Sequence, residues 1–103
     1  MKIVLTTWER VQLAVIVGSS WGVTIAQVDL GLRALGVLNL SDEEKAEVGW
    51  TAAGLNQFGW NRNCEHELEF PDDVWQIVQA FVRAFQAWPI DERVKPLWEK
   101  VLE

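Results

Sequence analysis

Residues 64–73 read CEHELEFPDD. Glu65, Glu67 and Glu69 take alternate positions, and His66, Leu68 and Phe70 take the positions between and after them. A β-strand turns successive side chains to opposite faces. The pattern therefore predicts a strand over 65–70 with an apolar inner side and a carboxylate outer side. Pro71 ends it, and Asp72-Asp73 suits the positive end of a following helix.

The same period of two recurs just upstream. Val48 and Trp50 share a side, as do Phe58 and Trp60, and TAAG (51–54) and NRN (61–63) supply turns. These runs predict an antiparallel meander of strands 48–51, 56–61 and 65–70. Its inner face would hold Val48, Trp50, Phe58, Trp60, Leu68 and Phe70. Its outer face would hold Glu47, Gln57, Asn61, Glu65, Glu67 and Glu69.

Helices flank this sheet on both sides. Downstream, Val74, Ile77, Val78, Phe81, Ala84, Phe85 and Trp88 mark a helix over 72–88, stopped by Pro89. Trp75 and Val82 widen its apolar band beyond what a single sheet covers. A last helix over 95–102 has Pro96 in its first turn and Leu97, Trp98 and Val101 turned inward. Upstream, Thr6 and Glu9 form a capping box before an apolar helix from Trp8 to Val17. After the break at Gly18-Ser19-Ser20, a helix over 22–35 shows the stripe Ile25, Val28, Leu32 and Leu35, with Gly36 as its stop. Ser41 and Glu44 form a second capping box on a short helix. The predicted fold is α+β: a three-stranded antiparallel sheet packed on three longer helices plus one short helix, in one domain over 1–103.

The chain has 103 residues and a net charge of −6. Residues 1–40 carry three cations and two acids, residues 41–73 two cations and nine acids, and residues 74–103 four of each. All of the excess acidity lies in the middle third. A phosphate-backbone binder needs a basic face, so direct nucleic-acid binding is not expected, whereas a partner with a basic surface is. Val11 to Val28 is free of charge, but the GSSWG interruption and Gln12, Thr24 and Gln27 fit two buried helices and a turn better than a membrane span. The opening residues meet Glu9 and Arg10 too soon for a secretory signal, and a cytoplasmic protein is expected.

Little catalytic chemistry is visible. There is no phosphate-cradling glycine loop and no nucleophile elbow, and the chain has one His and one Cys. Cys64 and His66 would share a strand face, too far apart for direct contact. The glutamate ladder lacks the Asp/Asn/Gly loop of a calcium site. The expectation is a protein that is not an enzyme, with no catalytic residue, no metal and no cofactor. Seven tryptophans are more than a small core needs, and Trp21, in the turn, and Trp75, at a helix edge, are the candidates for exposed anchors.

LTTWERV, SDEEKAEVG, the Trp-containing hairpin, ELEF and the Asp-rich helix start occur here in one order. This arrangement resembles a group of small proteins encoded by tailed bacteriophages that has no established activity. The resemblance implies a phage gene product acting in a bacterial cytoplasm, and it carries over no site residue. The resulting expectation is a binding protein, an inhibitor or adaptor of anti-defence type, that meets a host or phage protein through Glu65, Glu67, Glu69, Asp72 and Trp21. One alternative is a sponge for a signalling nucleotide, using Trp stacking and Arg33, Arg62 or Arg83. A second is a virion assembly component. Surplus apolar surface on the 72–88 helix predicts a homodimer with Trp75 and Val82 in its interface.

Overall fold

Thr6 ends one element and caps the next. Lys2–Thr6 forms strand β1, and helix α1 (Thr7–Gly18) starts at once behind it. The Thr6 side chain accepts from the Glu9 amide, and the Glu9 carboxylate accepts from the Thr6 amide, as the capping box predicts. The rest of the chain runs α2 (Ile25–Leu38), α3 (Asp42–Val48), β2 (Thr51–Gly54), β3 (Gln57–Gly59), β4 (Glu65–Glu69), α4 (Asp72–Ala84) and α5 (Val94–Leu102). The computed structural model describes residues 1–20, 23–54 and 57–103. The architecture is mixed, with five helices and two small sheets among these residues.

The three-stranded meander is not formed. β4 pairs antiparallel with β1, with Ile3 opposite Leu68, Val4 opposite Glu67 and Lys2 opposite Glu69. β2 and β3 pair with each other in a separate ribbon, with Ala52 opposite Phe58. The reason lies in KIVLT (2–6), which has the same alternation as ELEF: Ile3 and Leu5 are buried while Lys2 and Val4 face water. β1 thus matches β4 in length and in apolar side, and β3, with three residues, offers a shorter ladder. Val48 belongs to α3 rather than to a strand. Gly49 ends α3 in the left-handed region (φ 70°), with the Trp50 amide donating to the Lys45 carbonyl.

One buried cluster joins these elements. Leu5, Leu13, Ile16, Ala34, Leu38, Phe70, Val74, Val78, Leu97 and Val101 are all shielded from water. Trp75 and Val82 belong to it, at 7% and 1% exposure, and Trp75 packs on Phe70 at 5.2 Å between ring centroids. This corrects their placement in a dimer interface: α2, α1 and α5 pack against α4, and both side chains are buried within the chain. α4 also stops at Ala84, four residues early, because the backbone turns extended at Phe85. Pro89 disfavours helix at the preceding residue, and Phe85 and Trp88 instead meet edge to face at 5.2 Å. Trp98 stays partly exposed.

α2 differs most from expectation. It runs past Gly36 to Leu38, and it buries Gly31, Ala34 and Leu38 rather than the stripe at Ile25, Val28 and Leu32. Small residues let it come close: a Cβ at Gly31 would sit 3.7 Å from both Phe81 and Val17. A third capping box, Thr24 with Gln27, starts it. The uncharged stretch from Val11 to Val28 is divided between α1 and α2, and no helix of the described residues is long and apolar enough to cross a membrane.

Gly49 gives a test of the α3–β2 junction. An added Cβ there would adopt a disfavoured φ and press on Asn61 at 3.0 Å. Gly49→Ala is expected to lower stability by about 1–2 kcal/mol, read as the denaturant midpoint. An unchanged midpoint would show that the turn does not hold this geometry in solution.

Candidate functional site

Arg10 lies in the second turn of α1, and its side chain is 1% exposed. Burying a guanidinium costs several kcal/mol unless every donor finds an acceptor. Its Nε donates to the Leu38 carbonyl at 3.0 Å, and Nη2 donates to the Asn39 carbonyl at 2.9 Å. These are the open carbonyls that the end of α2 leaves unsatisfied. Nη1 donates to Glu44 Oε2 at 2.6 Å, with Nη2 near Oε1 at 3.4 Å. Glu44 reaches this place because it is also the capping-box residue of α3, where its Oε1 accepts from the Ser41 amide at 2.9 Å. Arg10 above all, together with the Ser41 contact, holds the Glu44 carboxyl down at about 2, against the opposing effect of burial.

His66 extends this polar cluster. It lies on the inner side of β4, between two carboxylates of α3. Nε2 is 3.1 Å from Glu47 Oε2, and Nδ1 is 3.7 Å from Glu44 Oε2. Nδ1 is buried and, among the described residues, has no hydrogen-bond partner. A neutral ring that donates from Nε2 to Glu47 leaves Nδ1 bare, and an imidazolium would turn Nδ1–H towards Glu44. Contact with His66, then with Cys64, lowers the Glu47 carboxyl. The Cys64 thiol is pushed up, by burial first and by Glu47 second. A raised thiol is a poor nucleophile, and its neighbour is an acid rather than the imidazole. The segment around Cys64 serves α1 instead. Asn63 Oδ1 accepts from the Trp8 amide at 2.9 Å, and the Cys64 carbonyl accepts from the Thr7 amide at 3.0 Å. Among the described residues, no group of three or more His, Cys, Asp or Glu is arranged to hold a metal ion.

A groove opens beside Arg10. It encloses about 510 Å³ between α1, the α2–α3 junction and the β2–β3 ribbon, and its walls include Val11, Ala14, Leu38, Lys45, Trp50 and Phe58. The Trp50 ring lies 8° from parallel to both Phe58, at 5.2 Å, and Trp60, at 6.0 Å. Lys45 Nζ is 6.0 Å from the Trp50 ring centre. The size is that of a small-ligand site, with walls part apolar and part polar and two cations, Arg10 and Lys45, among the lining residues.

The predicted surface residues fall elsewhere. Glu65, Glu67 and Glu69 all stand exposed on the outer side of β4, across from Thr6, Val4 and Lys2. Asp72 is exposed at the start of α4. Trp21 lies outside the described residues. Trp75 is in the core. Of the arginines considered for phosphate, Arg33 pairs with Asp29 on α2, and none of the three lines the groove. Arg10, Glu44, Lys45 and Phe58 were not anticipated as one site. The capping box alone fixed the position of Glu44.

The Arg10–Glu44 pair makes stability depend on pH. The folded carboxyl lies below its ordinary value of 4.5, so the pair contributes fully above that pH and is lost as pH falls towards about 2. Glu44→Gln is expected to cost about 2–3 kcal/mol at neutral pH, because Arg10 keeps its two carbonyls but loses its counter-charge. The gap between wild type and variant should close across that acid window in urea titrations. A gap independent of pH would show that the ion pair is not what Glu44 contributes.

No protein-family model, curated protein or solved structure matches the chain.

Proposed function

We propose that the chain is a non-enzymatic binding protein that engages a basic protein surface through the outer side of the β1–β4 ribbon. One observation carries this reading. Glu65, Glu67 and Glu69 project from one exposed strand face, and among the described residues none of them pairs with a cation, although Lys2 lies opposite Glu69. Three carboxylates in a row repel one another, and a basic partner would relieve that repulsion while steering its own approach. Asp72 follows exposed at the start of α4, 3.7 Å from the N-terminal ammonium. The resemblance to small proteins of tailed bacteriophages supports an inhibitor or adaptor of a host or phage protein in a bacterial cytoplasm. The raised Cys64 thiol supports a role without covalent catalysis.

The groove favours a second reading, a small-ligand binder. A flat ring would lie against Phe58 and Trp50 while Lys45 met a negative group on it. In this reading Lys45 is the cation, because the donors of Arg10 in the groove wall are committed to Leu38, Asn39 and Glu44. Native mass spectrometry of protein isolated from bacterial lysate would show a bound small molecule that Phe58→Ala loses.

Reversal of Glu65, Glu67 and Glu69 to Lys tests the first reading. All three are exposed, so each change should cost within about half a kcal/mol and leave the far-UV spectrum intact. Affinity for a captured basic partner should fall, and its dependence on salt should flatten. Retention of the partner at unchanged salt dependence would reject the acidic face as the contact.

A further inference from the structure

α2 has two apolar faces, and the core uses one of them. Gly31, Ala34 and Leu38 are buried, whereas Ile25 is 85% and Leu32 63% exposed, with Val28 beside them. At 3.6 residues per turn, Ile25, Val28, Leu32 and Gly36 fall within an arc of about 80°. An apolar stripe of this kind on a finished surface marks an interaction site.

We propose that a second copy of this chain covers the stripe, with the two α2 helices antiparallel about a two-fold axis near residues 30–31. The face is complementary to itself in that arrangement, in both shape and charge. Ile25 of one copy then meets Gly36 of the other. Gly36 is an open hollow, since a Cβ there would meet nothing within 4 Å. Asp29 and Arg33 lie along one flank of the stripe, bridged to each other at 3.1 Å and both well exposed. Antiparallel packing sets Arg33 of each copy across from Asp29 of the other, so that four charges alternate in sign. Each contact occurs twice, as a closed symmetric interface requires. A lipid surface fits less well: one cation flanks the stripe, and the net charge is −6. This pairing is independent of the acidic ribbon, which lies on other elements, and of the groove, which α2 touches only through Leu38 at its end.

Sedimentation equilibrium of the full chain at micromolar concentrations reads the result. The expected species has twice the 11.8 kDa chain mass. Leu32→Glu and the milder Leu32→Gln should both give monomers with an unchanged circular dichroism spectrum, because Leu32 is largely exposed within one chain. Asp29→Arg and Arg33→Asp should each weaken association at least about tenfold. The double variant Asp29→Arg/Arg33→Asp, with the charges exchanged within each chain, should recover it. A wild-type chain that stays monomeric would overturn the proposal, as would a dimer that survives both Leu32 variants. Failure of the exchanged pair to recover association would overturn the antiparallel register.

Discussion

A guanidinium without water must be matched donor by donor, and Arg10 is matched by two segments at once. Two carbonyls come from the end of α2 and one carboxylate from the start of α3. The end of a helix is electrically negative and leaves carbonyls open, so it is a natural seat for a buried cation. The cost of desolvation is thereby converted into geometry. Arg10 sets the angle at which the α2–α3 turn lies against α1. The position of α3 then follows, because Glu44 is bound both to Arg10 and to Ser41. Glu47 and Lys45 are carried with it, the first to His66 and the second to the Trp50 edge of the groove.

β1 and β4 close the other side. They are about sixty residues apart in sequence, so their pairing costs loop entropy that the shared burial of Ile3, Leu5 and Phe70 offsets. Asn63 and Cys64 clamp the first turn of α1 from the strand side. α1 is therefore held at its start by the sheet and in its second turn by Arg10. Such a doubly anchored helix is a firm wall for the groove.

Local chemistry was legible and non-local partnership was not. The boxes at Thr6–Glu9 and Ser41–Glu44 involve residues three apart, and both occur as expected. Thr24–Gln27 carries the same signature and marks the start of α2 more accurately than the apolar stripe does. The outward direction of Glu65, Glu67 and Glu69 follows from strand period alone. Period cannot say which strand lies alongside, and the alternation of Ile3 and Leu5 was the available signal for β1. Nor can it choose between two apolar stripes on one helix. Large side chains drew attention to Ile25, Val28 and Leu32, but close packing against Phe81 and Val17 favours the small residues Gly31 and Ala34. For Arg10 there was no local signal, since a cation in a helix reads as surface until the acceptors around it are known.

The distribution of cations explains why the acidic ribbon remains bare. The chain has nine Lys and Arg against fifteen Asp and Glu. Arg10 is committed to Glu44, Lys100 to Glu9 and Arg93 to Asp91, where the chelating guanidinium holds the carboxyl at about 2. Arg93 also covers the Trp8 ring at 4.2 Å. These contacts sit where α1 and α5 meet the core, and there a cation satisfies a buried or half-buried acid. Arg33 and Lys95 lie in exposed pairs within their own helices, which are worth little. Internal structure thus takes up the well-placed cations and leaves the excess of carboxylates on the surface. That excess is not spread evenly. Strand period collects three of the carboxylates on one side of β4, where spacing along the strand holds them near one another and no cation from the described residues reaches them.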